Sequence, residues 1–357
     1  MERTEKIGIS SDQTAAKIDR RISVAPMMDW TDRHCRFFLR GFSPAVLLYT
    51  EMLTAAAILR GDRARLLTFD PEEQPVALQL GGNEPAQLAS AAVAGEDVGY
   101  CEINLNCGCP SERVASGAFG ACLMLEPARV ADCVAAMRAR VRVPVTVKMR
   151  IGVVNLTAQQ ASTAVAAFDD DDFDALRRFV AAIEAAGCDR AIVHARKAVL
   201  GGLSPKENRT IPPLRYDVVR ALKTAFPRLP VIVNGGFRDA RAVLDALAWS
   251  DGVMLGREAY HRPFVLSELH LSLHSQSPKV FATRRAHLER MAPYAERELA
   301  RGTRLAAITR HMFGLFGGEP GAREFRRLLS QAVHAPGAGA DLILDIGRRC
   351  EAATQRA

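Results

Sequence analysis

Apolar residues along the chain follow two rhythms. Short β-branched runs fall at 22–26, 45–48, 76–80, 100–105, 145–148, 191–194, 231–234 and 252–255. Each ends in a polar or glycine-rich cluster and gives way to a stretch with helical spacing, as at 126–141, 173–186, 216–225 and 240–248. Strands alternating with helices over some 240 residues predict βαβ units and a parallel sheet, and eight strands predict a closed (β/α)8 TIM barrel of the α/β class. The placement of reactive side chains supports closure. Pro26, Gln79, Asn106, Cys109, Lys148, His194, Asn234, Gly256 and Arg257 all stand at or just past the C-terminal end of a run. Those ends converge on one mouth in a barrel, but would spread along an edge in an open sheet. Past Arg262 the strand rhythm stops, and 281–301, 304–314, 322–333 and 341–354 read as amphipathic helices separated by Gly/Pro breaks. The expected organisation is a tail at 1–20, a barrel at 21–262 and a small all-α domain at 263–357.

Composition narrows this picture only a little. The 357 residues are 48% hydrophobic and 24% charged, which excludes disorder, collagen-like repeats and a disulfide-stapled miniprotein. The net charge is +7, and residues 258–357 hold 15 Lys+Arg against 10 Asp+Glu. A basic surface for a polyanionic partner is one reading of that excess, and a solvated Arg-rich helical face is the other. The polar N-terminus has no apolar core of a secretory signal, and no run of about 18 apolar residues exists to span a bilayer. The expectation is a cytoplasmic protein whose eight cysteines are free thiols.

Two late elements, VIVNGGF (231–237) and GVMLGRE (252–258), end in glycines whose bare N–H groups can approach an anion. Phosphate sites after strands 7 and 8 recur in this fold, and Arg257 adds a fixed charge with bidentate geometry. Neither G-x-G-x-x-G nor G-x-x-x-x-G-K-[ST] occurs, which argues against a Rossmann nicotinamide site and a P-loop. If the chemistry is redox, the phosphate-bearing group is then a flavin mononucleotide. Gln79 can pair with a pyrimidine edge of such a ring, Lys148 can stabilise charge on its reduced form, and His194 can meet ring or phosphate. Cys109, between Gly108 and Pro110, is held in a turn at the mouth, where it could act as nucleophile, metal ligand or proton donor. The C-x5-C-x-C spacing of Cys101, Cys107 and Cys109 lacks a matching C-x2-C pair and a nearby His, so zinc and iron–sulfur binding are disfavoured.

The motifs APMMDWTDRHCR (25–36), LLYTEM (47–52), ALQLGG (77–82), EINLNCGCPSERV (102–114), FGACLM (119–124), VTVKMRIG (145–152), HARKA (194–198), GLSPKENR (202–209) and DGVMLGREAY (251–260) together resemble the tRNA-dihydrouridine synthases. SPKENR and RHMFGLFGGEPGAREFRR (310–327) resemble the A subfamily in particular. The resemblance runs from about Arg21 to Leu329. It implies an FMN-dependent barrel with a helical tRNA-binding domain. It also implies NADPH-driven reduction of the C5=C6 bond of D-loop uridines, at positions 20 and 20a. Hydride would pass from flavin N5 to uracil C6, and Cys109 would protonate C5. Matched to the family motifs, Pro26, Met27 and Met28 line the flavin, and Gln79, Lys148 and His194 meet it. Asn234, Gly235, Gly236, Gly256 and Arg257 hold its phosphate, while Asn106, Lys206, Arg209, Arg323 and Arg326 serve tRNA recognition. No metal is implied. The expected partner is tRNA, with no membrane, and the expected state is a monomer. A thiol, with an ordinary pKa of about 8.5, stays mostly protonated at neutral pH and suits the acid's part.

Two departures from the family pattern stand out. Residues 153–172 are long, Ala-rich and then acidic, and are expected to form a mobile loop facing away from phosphates. Cys107 stands where an apolar residue is expected, and reads as a small buried hydrophobe. Competing functions are an FMN barrel acting on a free pyrimidine or dihydroorotate-type substrate, and a non-catalytic RNA-binding protein. The first leaves the helical region and SPKENR without a use, and the second needs no flavin.

Overall fold

The computed structural model describes residues 18–111, 117, 119–155, 167–274, 283–335 and 337–354. The expected tail at 1–20 and the middle of the 153–172 segment lie mostly outside them. Eight parallel strands close into a barrel: β1 (Ile22–Val24), β2 (Leu47–Thr54), β3 (Val76–Gly81), β4 (Glu102–Cys107), β5 (Val145–Arg150), β7 (Arg190–His194), β9 (Val231–Asn234) and β10 (Gly252–Leu255). They are neighbours in sequence order, and β10 closes on β1 through Ile22↔Val253 and Val24↔Leu255. The remaining two, β6 (Val153–Asn155) and β8 (Ala198–Leu200), pair with each other outside the barrel.

Strand parity sorts the side chains. Val76, Leu78, Leu80, Ile103, Leu105, Val145, Val147, Val231, Val233 and Val253 face outward into the layer shared with the helices. Leu47, Tyr49, Ala77, Ile192, Ile232 and Met254 fill the interior. On β4 the inward parity falls instead on Glu102, Asn104 and Asn106, and on β5 on Thr146, Lys148 and Arg150. One sector of the barrel interior is therefore polar. Cys107 takes the outward parity, is fully buried in the apolar layer, and burial pushes its thiol well above the usual range.

The 153–172 segment departs from a simple loop. Its first residues form β6, and its acidic end opens the helix Asp170–Ala185, three residues ahead of the sequence-based start at 173. The reason is local. Asp169 accepts from the Asp172 N–H and Asp172 reaches back to Asp169, a reciprocal cap that also suits the positive helix N-terminus.

Beyond the barrel, helices Arg284–Ala300, Leu305–Thr309, Ala322–Ala332 and Asp341–Thr354 follow the expected pattern. An additional helix, Phe264–Leu273, buries Val265, Leu266, Ser267, Leu269 and His270 and so shows no clean amphipathic stripe. The helical region seats on the first barrel helix, Arg33–Arg40. Tyr294 stacks on Phe37 at 3.8 Å between centroids, His287 on Phe42 at 3.7 Å, and Arg290 lies over Phe37. Asp32 accepts from Arg310 at 2.6 Å and is paired with His311. Gly314 lets the 310–317 segment touch the barrel: a Cβ there would meet the carbonyl oxygens of His261 and Tyr260 at 2.6 and 2.7 Å.

This seat carries a pH signature. Buried His34, 2.7 Å from the Tyr294 hydroxyl, is held to a pKa of about 4 by burial. Burial pushes Asp32 up, but His311 and Arg310 outweigh it and hold the carboxyl well below its ordinary range. Both folded-state values are depressed. Between the two His34 values the unfolded chain binds more protons, so stability is intact above about pH 6.5 and is lost as pH falls towards about 4. Asp32 extends the loss to lower pH. Urea unfolding between pH 7 and 4 should show a midpoint that declines with acid, with up to about 3 kcal/mol attributable to His34. A midpoint that is flat or rises over that window would contradict this.

Candidate active site at the barrel mouth

The C-terminal strand ends enclose a cavity of about 1010 Å³. Its walls contain Pro26, Met27 and Met28 after β1, Gln79 on β3, Asn106 and Cys109 at the end of β4, and Lys148 on β5. His194, Arg209, Asn234, Gly235, Gly236, Gly256 and Arg257 complete the set that the sequence singled out. Lys206, Arg323 and Arg326 stand outside it, exposed on the 204–209 loop and on the helix Ala322–Ala332.

Each residue is held by its element. The Asn106 Oδ1 accepts from the N–H groups of Gly108 and Cys109, both at 3.0 Å, and so shapes the turn that carries the thiol. Gln79 donates to Asn104 at 2.7 Å and accepts from Asn106 at 2.9 Å. The Asn234 amide donates to the Met254 carbonyl at 2.7 Å and ties β9 to β10 beneath the glycines. Gly236 has φ +82°, and a Cβ on it would lie 2.3 Å from Leu214 and 2.8 Å from the Tyr216 hydroxyl. Only glycine fits there without displacing the wall.

Charge in the mouth is mostly positive, since Glu258, which also lines it, is paired with Arg262. Lys148, Arg150, Arg196, Arg209 and Arg257 all line it, and among the described residues none of them pairs with a carboxylate within 4.0 Å. Burial, together with Arg150, lowers Lys148 to about 8, and Cys109 opposes the shift. Burial also lowers Arg150, to about 10. His194 is pushed well below its ordinary value, by burial first and by Arg150 and Lys148 next, so its imidazole is neutral. Its Nδ1 is buried without a hydrogen-bond partner among the described residues. A cavity of this size, with convergent cations, an orphaned imidazole nitrogen and a glycine-floored recess, is chemically suited to a flat polar ring carrying a phosphate. Among the described residues no group of three or more His, Cys, Asp or Glu could hold a metal ion.

Arg150, Arg196, Leu214 and Tyr216 were not among the sequence candidates. Arg150 donates to the carbonyls of Gly108 at 3.2 Å and Asn208 at 2.9 Å, linking the Cys109 turn to the SPKENR loop. Strand parity was the available signal, since Arg150 lies two residues beyond Lys148 on the same face.

A (β/α)8 barrel whose mouth brings a cysteine together with several cations and glycines is the class that fold and site define. A family profile described as dihydrouridine synthase matches residues 23–351, and the chain belongs to that family of enzymes. It is 53% identical over 334 residues to the tRNA-dihydrouridine(20/20a) synthase of Xanthomonas axonopodis pv. citri, covering 94% of each chain. Proteins of the same description from Vibrio cholerae and Synechocystis sp. are 50% and 51% identical over 324 and 322 residues, covering 90% of this chain and 94% and 92% of theirs.

Proposed function

We propose that this protein reduces uridines 20 and 20a of tRNA to 5,6-dihydrouridine, using FMN and NADPH. The carrying observation is that Cys109 shares one cavity with Gln79, Lys148, His194 and the Asn234–Gly236 and Gly256–Arg257 recess. Bound there, a flavin would supply the hydride for uracil C6. Gly235, Gly236, Gly256 and Arg257 would hold its phosphate, with Asn234 fixing the strand ends beneath. Pro26, Met27 and Met28 would line the ring, and Gln79, Lys148 and the neutral His194 would meet its polar edge. Cys109 delivers the proton to C5 from the facing wall and is reprotonated from solvent. The target base must leave its stack to enter such a mouth. Lys206, Arg209, Arg323 and Arg326 contact the rest of the tRNA, chiefly its phosphates, and Asn106 serves recognition through the turn it fixes. In this reading residues 21–262 do the chemistry, 263–357 hold the RNA, and the enzyme works as a cytoplasmic monomer. Among the described residues no helix is long and apolar enough to cross a membrane.

The purified protein should be yellow, should bleach with NADPH, and should form dihydrouridine at positions 20 and 20a of unmodified tRNA. A colourless preparation that binds tRNA, or equal activity on free uracil, would remove the proposal. Binding should weaken steeply with salt, because each neutralised phosphate releases a counterion. Changing Arg323 and Arg326 together to Ala should lower the log–log salt slope by about 2. An unchanged slope would take that helix off the RNA surface.

A further inference from the structure

The polar sector inside the barrel forms one continuous column. At its base Glu102 is paired with Arg20, whose Nε donates to Oε2 at 2.9 Å, while Oε1 accepts from the Tyr49 and Thr146 hydroxyls. The Thr146 oxygen in turn accepts from Asn104 Nδ2 at 2.9 Å. The Asn104 carbonyl accepts from Gln79 Nε2, the Gln79 carbonyl accepts from Asn106 Nδ2, and the Asn106 carbonyl accepts from the N–H groups of Gly108 and Cys109. Glu102, Asn104 and Thr146 are fully buried, and Gln79 is 1% exposed.

The column has a direction, and both ends impose the same one. A carboxylate only accepts, so Thr146 must donate downward and offer its lone pair upward. Two backbone N–H groups only donate, so Asn106 must present its carbonyl to them and its amide to Gln79. Every amide between is thereby oriented. A buried polar column costs stability relative to an apolar barrel core unless all its members are paired, and here they are.

We propose that Glu102, Thr146 and Asn104 are positioning residues that set the turn of Cys109 from the floor of the barrel. Thr146 fixes Asn104, Asn104 fixes Gln79, and Gln79 fixes the Asn106 side chain that grips the turn. The effect on catalysis rests on the reading of Cys109 as the proton donor; the effect on the turn does not.

The test is the rate at which iodoacetamide alkylates Cys109 in the purified protein. It is read by peptide mass spectrometry against Cys122 in the same sample, beside kcat for tRNA reduction. Thr146→Val removes both column bonds at nearly constant shape, and alkylation of Cys109 should rise about fivefold, the weight of roughly one net hydrogen bond. The kcat should fall. Thr146→Ser should restore both, and Glu102→Gln, which permits the opposite polarity, should act like Thr146→Val. Ile232→Val, an interior change off the column, should leave Cys109 at its wild-type rate however much it lowers the melting temperature. Should Thr146→Val and Glu102→Gln both alkylate like wild type, or Ile232→Val match them, the column has no hold on the turn and the inference fails. Faster alkylation with unchanged tRNA reduction would support the column and overturn the acid role of Cys109 instead.

Discussion

Cys109→Ala should retain its flavin and its oxidation of NADPH, and lose tRNA reduction by about two to four orders of magnitude, the usual weight of a positioned general acid. The grounds are structural as well as chemical. The turn is held by backbone groups: the Gly108 and Cys109 N–H groups bind Asn106, and the Cys109 carbonyl accepts from the Ala121 N–H at 2.9 Å. Removing Sγ breaks none of these, so the cavity keeps its shape. Cys109 lines the same cavity as Lys148, Arg150 and Arg209, which places it among the charges of the mouth rather than apart from them. Single-turnover formation of dihydrouridine by pre-reduced enzyme isolates the step. Product formation at the wild-type rate would require a different acid.

The largest effect on stability should follow Arg36→Met. Arg36 and Glu73 form a buried ion pair at 2.7 Å, with side chains 5% and 0% exposed. Arg36 also donates to the Thr31 carbonyl at 2.8 Å, and Glu73 accepts from the Asp70 N–H at 2.7 Å. Removing one member leaves a carboxylate without its counter-charge in the interior, which costs about 3–5 kcal/mol. The pair anchors the helix Arg33–Arg40, the same helix on which Tyr294 and Arg290 rest, so the helical region should loosen with it. The urea midpoint measures the loss. The double variant Arg36→Met/Glu73→Gln should recover part of it, because no unpaired charge then remains. A single variant within about 0.5 kcal/mol of wild type, the range of ordinary surface changes, would refute the assignment.

Much of this molecule was legible in the chain itself. Short apolar, often β-branched runs mark all eight barrel strands, because a barrel strand buries one face under the helices and much of the other in the interior. The same runs place Gln79, Cys109, Lys148, His194 and Asn234 at strand ends, which closure then gathers. The helix Phe264–Leu273 escaped that reading because it is covered on more than one side and so has no single polar face. Partner choice lay beyond the sequence. The side-chain links of the column join residues 25 to 82 positions apart, Arg150 reaches Asn208 across 58, and Asp32 meets His311 across 279. Local periodicity fixes which way a side chain points. Only the closed barrel and the helices docked on it decide what it meets there, because hydrogen bonds depend on separations in space that spacing along the chain does not encode.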